Sequence, residues 1–403
     1  MVELKYLCLR WKEVEVMEIC KIESCTGCFA CKAVCPMNAI EIVKDKYGKT
    51  IPKVRVDKCI ECGLCKNVCH VRRTKEARVP HRCYAAWTKK EEDKESCASG
   101  GVATGFGRYI ISQGGVVFGA TFSAGKELDC VIGMAETEEE LEQFKTSKYV
   151  QSYAGDSYKK AKEQLDKGRE VLYIGMPCQI AGLQGYLRRK YENLITVDLV
   201  CQGVIPASYL QEYAKEKCPG MKIERASFRG TYDYDMCFYE MGESKPCYRK
   251  ENYMDLYYSA FQKKLTMRDN CYECQYARKE RISDITIGDF WGIDRTTLLE
   301  QHDGKISEIL VNTKKGQELL QQCKTAFYLE ERTVEEAVKG NGQLCGPSVP
   351  HKDYEKFRDL YLEKGFVKAV EKTGVQKMIL KHKLGATVPG RIVKKIRRVL
   401  RGR

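Results

Sequence analysis

Cysteines at metal-binding spacings stand out in this chain of 403 residues, which contains 22 of them. Residues 25–36 read CTGCFACKAVCP and residues 59–70 read CIECGLCKNVCH, so both have the spacing C-x2-C-x2-C-x3-C. A third region, CYEC at 271–274, offers only half of a four-thiolate site. Clustered thiolates bind iron–sulfur clusters or zinc, and the first two segments have the bacterial iron–sulfur spacing.

The doubled motif predicts two interleaved four-cysteine sets. Three thiolates at x2 spacing hold three corners of one cubane, and the fourth cysteine, on the next helical turn, points at the other cluster. The first cluster is therefore assigned to Cys25, Cys28, Cys31 and Cys69, and the second to Cys59, Cys62, Cys65 and Cys35. The doubled spacing argues against zinc. Residues 39–56 predict strand, glycine turn and strand, and the whole repeat resembles the two-cluster bacterial ferredoxin domain.

One residue breaks the symmetry of this repeat. His70 stands where the first segment has Pro36. Because it follows a ligand without replacing one, we expect it to tune the second cluster.

Charge and hydropathy narrow the class of protein. The net charge is +14, but residues 367–403 hold twelve Lys and Arg against one Glu, so the basic character belongs to the tail. This distribution does not indicate nucleic-acid binding. The chain has no run of eighteen apolar residues and no signal-peptide pattern, so we expect a cytoplasmic protein. Cysteines in that compartment indicate metal or redox chemistry rather than disulfides.

The body of the chain predicts an α/β sheet that would position further cysteines. Residues 171–187 read as a buried strand, a turn with Cys178 and a helix, and residues 194–203 read as a second strand that ends in Cys201. Such a unit predicts parallel strands, whose carboxyl ends lie at one edge of the sheet, where α/β folds bind ligands. A third [4Fe-4S] site is therefore expected from Cys178, Cys201, Cys271 and Cys274. Its rival ligands are Cys218, Cys237 and Cys247.

Several short motifs resemble the beta subunit of coenzyme F420-reducing hydrogenase and its relatives. They are SGG at 99–101, KYVQS at 148–152, GMPCQ at 175–179, DLVCQG at 198–203, CYEC at 271–274 and DITIGDFWG at 284–292. The resemblance covers roughly residues 82–330. It implies FAD, a [4Fe-4S] cluster beside it, and hydride transfer to or from a bound partner or substrate, but it does not identify coenzyme F420 as that substrate.

A flavin-binding region is expected around the two glycines at 100–101. Glycine lets a cofactor approach the backbone closely, and a helix that begins there offers free N–H groups to a phosphate. Together with the resemblance, these features assign FAD contacts to Ser99, Gly100, Gly101, Thr104, Lys148, Tyr149, Gln151, Ser152, Gly175, Pro177 and Gln179. No catalytic residue is assigned.

The expected fold combines α+β and α/β architecture, with a bacterial-type dicluster ferredoxin domain followed by an α/β flavin and iron–sulfur domain. The expected boundaries are a two-[4Fe-4S] ferredoxin domain at 17–75, a flavin-binding region at 82–160, an α/β domain with the third cluster at 168–330 and a helical basic tail at 335–403.

Two functions are open at this point. One is an FAD and iron–sulfur dependent oxidoreductase that works with a redox partner protein or ferredoxin. The other is a non-catalytic electron-transfer subunit that serves a partner enzyme. Residues 389–403 predict an amphipathic basic helix that lies on an anionic membrane at its inner face, docks an acidic partner or packs on its own chain.

Overall fold

The computed structural model describes residues 18–73, 76–232 and 234–386. The amphipathic helix expected at 389–403 lies outside these residues. Within them, no helix combines the length and the apolar character needed to cross a membrane.

Residues 18–73 form a small module around a β-hairpin. Strands β1 (Ile40–Lys44) and β2 (Thr50–Val54) pair antiparallel, and Gly48 takes a left-handed conformation with φ of 71° in the turn. This confirms the predicted strand, glycine turn and strand. Each cysteine segment contributes one short helix, α1 (Ala30–Val34) or α2 (Leu64–Val68).

One eight-stranded sheet forms the body of the protein. Its strands are β3 (Arg82–Thr88), β4 (Val116–Phe122), β5 (Cys130–Ala135), β6 (Val171–Gly175), β7 (Leu194–Leu199), β11 (Ile285–Asp289), β12 (Ser307–Val311) and β13 (Phe327–Arg332). They lie in the order β13-β3-β12-β11-β7-β6-β4-β5, in which β4, β6, β7 and β11 run parallel. The predicted parallel pairing of β6 with β7 is confirmed. Strands from both expected regions, 82–160 and 168–330, are thus mixed in one sheet, with β3 lying between β13 and β12.

Helices cover both faces of the sheet, as in α/β folds. They are α3 (Glu91–Ser96), α4 (Val102–Ser112), α5 (Glu138–Glu142), α6 (Gly155–Asp166), α7 (Pro177–Leu187), α8 (Ala207–Lys217), α9 (Leu256–Gln262), α10 (Asp269–Tyr272), α11 (Lys314–Cys323), α12 (Val334–Gly340), α13 (Tyr354–Glu371) and α14 (Gly374–Ala386). Alternate residues of each strand point to opposite faces. One face packs on α4 and α11, and the other packs on α6 and α7.

A smaller antiparallel sheet adjoins the body. It has the order β10-β9-β8 and consists of β8 (Ile223–Ser227), β9 (Met236–Glu240) and β10 (Tyr248–Lys250). Its apolar side shares a core with α8, α9 and α13.

The ferredoxin-like module packs directly on α7. Ala30 and Ala33 of α1 and Val68 of α2 belong to the same apolar core as α6 and α7. This docking brings the two cysteine segments of the module close to the helix that begins beside Cys178.

Candidate metal centre

Four cysteines converge at the carboxyl edge of the parallel strands. Cys178 is the second residue of α7, directly after β6, and Cys201 lies two residues beyond β7. Cys271 lies in α10 and Cys274 follows that helix. All four line one cavity of about 190 Å³. The structure thus brings together the residues predicted to form a third four-thiolate site, which we call the third site.

The surroundings of the third site disfavour uncompensated thiolates. Burial raises the pKa of Cys178, and the neighbouring charges of Cys201 and Cys274 raise it further. Burial also raises the pKa of Cys271 to about 11. Thiolates become stable in such a cavity when a metal supplies positive charge, because metal binding releases the thiol protons. Four soft sulfur ligands around one cavity fit an iron–sulfur cluster.

The arrangement of side chains is different from that needed to hold a single metal ion. Among residues 18–73, 76–232 and 234–386, no group of three or more His, Cys, Asp or Glu side chains is arranged to hold one ion. A four-iron cluster holds its thiolates farther apart than a single ion does.

Arg281 braces the wall of this cavity. Its side chain is 2% exposed and donates to the Oδ1 atom of Asp198, which is fully buried, at 2.9 Å. It also donates to the carbonyl oxygen of Tyr276 at 2.9 Å. The guanidinium therefore ties the loop after Cys274 to the end of β7.

We expect the Arg281→Met variant to lower the free energy of unfolding by about 3–5 kcal/mol, because it leaves the Asp198 carboxylate buried without its cation. Chemical denaturation of the anaerobically purified protein measures this. In the control, Arg189→Met removes the cation of the exposed Arg189–Asp166 pair and should cost less than about 1 kcal/mol. Equal losses in the two variants would contradict this account.

The module holds the two other predicted cysteine sets. The first site consists of Cys25, Cys28, Cys31 and Cys69. Burial raises the pKa of both Cys28 and Cys31, and the charges of Cys25 and Cys69 raise both values further. The four thiols are therefore neighbours. The second site consists of Cys35, Cys59, Cys62 and Cys65, which line a small cavity of about 20 Å³. Cys62 is exposed, as is the neighbouring Ile60, so the second site lies at the surface.

The first and third sites meet across one turn of α7. A Cβ atom placed on Gly182 would lie 3.1 Å from Cys28 Sγ, so the first site touches the helix at this glycine. Gly182 lies four residues after Cys178, on the same face of the helix, and one helical turn rises about 5.4 Å. The thiol of Cys28 thus lies about one turn from the third site.

A second glycine of α7 also permits this approach. A Cβ atom on Gly185 would clash with the carbonyl oxygen of Val68, which immediately precedes the first-site cysteine Cys69. The module therefore lies against α7 at two points, with the Cys28 side chain at Gly182 and with its backbone at Gly185.

The residues predicted to contact FAD at 99–101 anchor the start of α4. The amide of Gly100 donates to Ser307 Oγ at 2.9 Å, and its carbonyl oxygen accepts from the Thr88 amide at 2.7 Å. Ser307 also donates to Ser99 Oγ at 3.0 Å. Gly101 packs on Thr88 with φ of 80°, and the buried Thr104 lies 3.4 Å from the thiol of Cys97.

The predicted contacts near Cys178 mostly stabilise its turn. Gln179 donates to the carbonyl oxygen and hydroxyl of Ser152 at 3.2 and 3.0 Å, and its own Oε1 accepts from the Met176 amide at 3.0 Å. Gly175 packs against the same Gln179 side chain. Pro177 lines the third-site cavity.

Two further predicted contacts lie elsewhere. Gln151 donates to the carbonyl oxygen of Gly27 in the module at 3.3 Å. Tyr149 stacks on Phe261 with ring centroids 4.6 Å apart. The polar groups predicted to contact FAD are thus largely bonded to protein, and of the eleven residues Pro177 alone lines the third-site cavity.

Lys148 has a structural role in this arrangement. Its ammonium group donates to the carbonyl oxygens of Gln143, Lys145 and Thr146 at 3.1, 2.6 and 3.3 Å, just beyond the end of α5. A cation is favourable at a helix C-terminus. Burial nevertheless lowers the pKa of Lys148 to about 8.

A pH dependence of stability follows from this pKa. Between pH 8 and the ordinary lysine pKa of 10.5, the folded protein loses the Lys148 proton while the unfolded chain keeps it. The unfolded state binds more protons there, so the contribution of Lys148 to stability rises with pH. The difference in free energy of unfolding between the wild type and Lys148→Met should therefore increase across this window. A difference in free energy of unfolding that stays constant across this pH window would contradict this expectation.

The rival cysteines lie away from the third-site cavity. Cys218 and Cys247 lie beside each other at the smaller sheet, with 3.9 Å between their sulfur atoms. Cys237 is buried in β9.

Sequence reasoning missed one cysteine at the first site. Cys20 packs against the apolar cluster that contains Cys69. Its interaction with the thiol of Cys25 lowers the pKa of Cys25. Cys20 has no counterpart in the second cysteine segment, so the repeat contains no signal for this contact.

His70 also lies elsewhere than expected. Its ring contacts Thr26, inside the first-site loop, and Tyr276, beside the third site. The structure therefore does not place it at the second cluster, because the chain after Cys69 continues toward the sheet.

Two segments of the chain match known families. Residues 168–337 match the family described as the C terminus of the beta subunit of coenzyme F420 hydrogenase/dehydrogenase, and residues 24–72 match the 4Fe-4S dicluster domain. No curated protein matches the chain.

Solved structures also align with this chain, and one of them covers much of it. It is the xenon-derivatised F420-reducing [NiFe] hydrogenase complex from Methanosarcina barkeri, with 17% identity and a TM-score of 0.40. The alignment covers 72% of this chain and 90% of the other. From the two family matches, this chain is an iron–sulfur protein with a 4Fe-4S dicluster domain, followed by a region related to the C terminus of F420 hydrogenase/dehydrogenase beta subunits.

Proposed function

We propose that this chain carries electrons between a redox partner protein and the third site, by way of the ferredoxin-like module. The second site, with its exposed Cys62, faces the partner. The first site lies against α7, and the third site begins at the start of that helix. When bound, each [4Fe-4S] cluster accepts and releases one electron at a time.

The contact of Cys28 with Gly182 carries this proposal. It brings a ligand of the first site against the helix that holds Cys178, and the absence of a side chain at Gly182 lets the two approach. Contacts at Gly185, His70 and Arg268 also hold the module on the body, but this contact is the one that joins a first-site cysteine to the helix of Cys178. Through it, the three cysteine sets form a connected series from the surface to the edge of the sheet.

The finer proposal is that electrons continue to FAD, which exchanges a hydride with a substrate or partner. The family match and the motif resemblance support it. FAD, when bound, converts one-electron transfer into two-electron chemistry. The proposed contacts at Ser99, Gly100 and Gly101 lie beside Ser307, which pairs with Asp289 at the carboxyl end of β11. They share a sheet edge with the third site, where Gly100 and Ser99 hydrogen-bond to Ser307 and Thr88.

The alternative function is an electron-transfer subunit that does no chemistry of its own. The geometry favours this alternative because the three cysteine sets converge, whereas the eleven proposed FAD contacts do not. In both functions the same residues carry the electrons.

Flavin release separates the two functions. The anaerobically purified chain is denatured, and the supernatant is analysed for FAD by fluorescence and chromatography. Stoichiometric FAD, together with turnover of a small electron acceptor, supports the oxidoreductase. Reducible clusters without FAD support the electron-transfer subunit. A protein whose clusters exchange no electrons with one another would contradict both.

A further inference from the structure

His70 joins the loops that carry the first and third sites. Its ring is 1% exposed. The Nε2 atom lies 3.0 Å from the hydroxyl of Thr26, between Cys25 and Cys28, and the Nδ1 atom lies 2.7 Å from the hydroxyl of Tyr276, two residues after Cys274. One imidazole thus spans two cysteine loops that are more than 200 residues apart in the chain.

The chemistry of the ring suits this position. A neutral imidazole has one donor and one acceptor nitrogen, and the hydroxyl groups of Thr26 and Tyr276 can each donate or accept. Both hydrogen bonds can therefore form at once. The proline at the equivalent place of the first cysteine segment, Pro36, could form neither.

Arg268 makes a second connection between the same loops, from the other end of the 271–274 segment. It lies three residues before Cys271 and is 1% exposed. Its guanidinium donates to the carbonyl oxygen of Cys25 at 3.0 Å and to Gln151 Oε1 at 2.8 Å. Gln151 in turn donates to the carbonyl oxygen of Gly27. The loop at 25–28 is therefore tied to the region around the CYEC loop on both sides.

We propose that His70 is a positioning residue that, with Arg268, fixes the separation of the first and third sites and so sets the rate of electron transfer between them. This inference rests on the proposed function. Because the His70 ring and the Arg268 side chain are buried, their hydrogen bonds are costly to lose: a buried polar group left unsatisfied cannot turn to water. A site held by such supports keeps its geometry, and small displacements of reacting groups have large effects on rates.

His70→Leu tests the inference, since leucine fills space without hydrogen bonding. We expect its iron content to equal that of the wild type, while electron transfer from the module to the third site slows by about tenfold. His70→Gln retains a donor and an acceptor and should recover most of the rate. His81→Leu is the control, because His81 is exposed and contributes a backbone hydrogen bond.

A readout independent of activity is hydrogen–deuterium exchange. Peptides covering 24–28 and 275–277 should exchange faster in His70→Leu than in the wild type, and at the wild-type rate in His81→Leu. Tyr276→Phe removes one hydroxyl and retains the ring, so it provides the same test if His70→Leu does not fold.

Several outcomes would overturn the inference. Wild-type exchange and wild-type electron transfer in both His70→Leu and Tyr276→Phe would show that the bridge positions nothing. Loss of iron from His70→Leu would mean that His70 serves cluster binding rather than positioning. A wild-type protein that lacks the third cluster would instead defeat the proposed function, while the exchange experiment would still report on the bridge.

Discussion

The Cys274→Ala variant, purified without oxygen, is expected to retain about eight irons per chain, against about twelve in the wild type. The first and second sites have their own eight cysteines, and none of those cysteines lines the third-site cavity. Removing one thiolate from the third site should therefore leave the module intact. The reduced spectrum of the two ferredoxin-type clusters should be unchanged.

Electron-transfer measurements on this variant should distinguish the intact module from the damaged third site. The module should still accept electrons from a chemical reductant or a reduced ferredoxin, but these electrons should no longer reach an acceptor beyond the third site at the wild-type rate. Anaerobic stopped-flow spectroscopy measures both steps in one experiment.

A matched variant distinguishes a ligand from other cysteines. Cys247→Ala removes an exposed thiol that lies beside Cys218 rather than in the third-site cavity. It should retain about twelve irons and the wild-type transfer rate. A loss of iron from Cys247→Ala but not from Cys274→Ala would show that the rival cysteines are the ligands.

Gly182→Val is expected to separate the module from α7. The first added carbon would lie 2.6 Å from the hydroxyl of Tyr158 and 3.1 Å from the sulfur of Cys28. Tyr158 is fully buried and cannot move away freely. Overpacking of this kind costs about 1–3 kcal/mol, and the module must shift to relieve it. Electron transfer from the module to the third site should slow by about a hundredfold, with iron content unchanged.

The control for this variant is a glycine in open space. A Cβ atom at Gly346 meets nothing within 4 Å, so Gly346→Val should leave the transfer rate unaltered. Wild-type transfer in Gly182→Val, together with wild-type stability, would mean that the contact with Cys28 does not carry electrons.

The parts of the site that follow from local pattern were predicted from sequence. The doubled cysteine spacing and the parallel pairing of β6 with β7 depend on neighbours in the chain, and parallel strands put Cys178 and Cys201 at one edge. Placing Cys271 and Cys274 beside them needed only one further assumption, that the strand after them joins the same sheet. The structure pairs that strand, β11, with β7.

The contacts between the module and the sheet could not be predicted in this way. His70, Arg268 and Gly182 act through partners far away in sequence, and nothing in their local patterns identifies those partners. His70 appeared only as a departure from a repeat, and the repeat placed it at the wrong cluster. Docking of one domain on another depends on the complete shapes of both surfaces.

The proposed FAD contacts show a further limit of motifs. Short polar motifs indicate that their side chains make specific contacts, but they do not indicate which groups those side chains bind. Gln151 and Gln179 proved to hydrogen-bond to the module and to the turn before Cys178. Buried amides are usually satisfied by protein groups, so this outcome agrees with general experience.

Iron analysis of the anaerobically purified wild type, combined with spin quantification of the fully reduced protein, tests the central claim most directly. The account predicts about twelve irons per chain and three reduced clusters, with magnetic interaction between the first and third sites. About eight irons and two reduced clusters would contradict it, because the third site would then hold no cluster and the series of sites would end at Cys28.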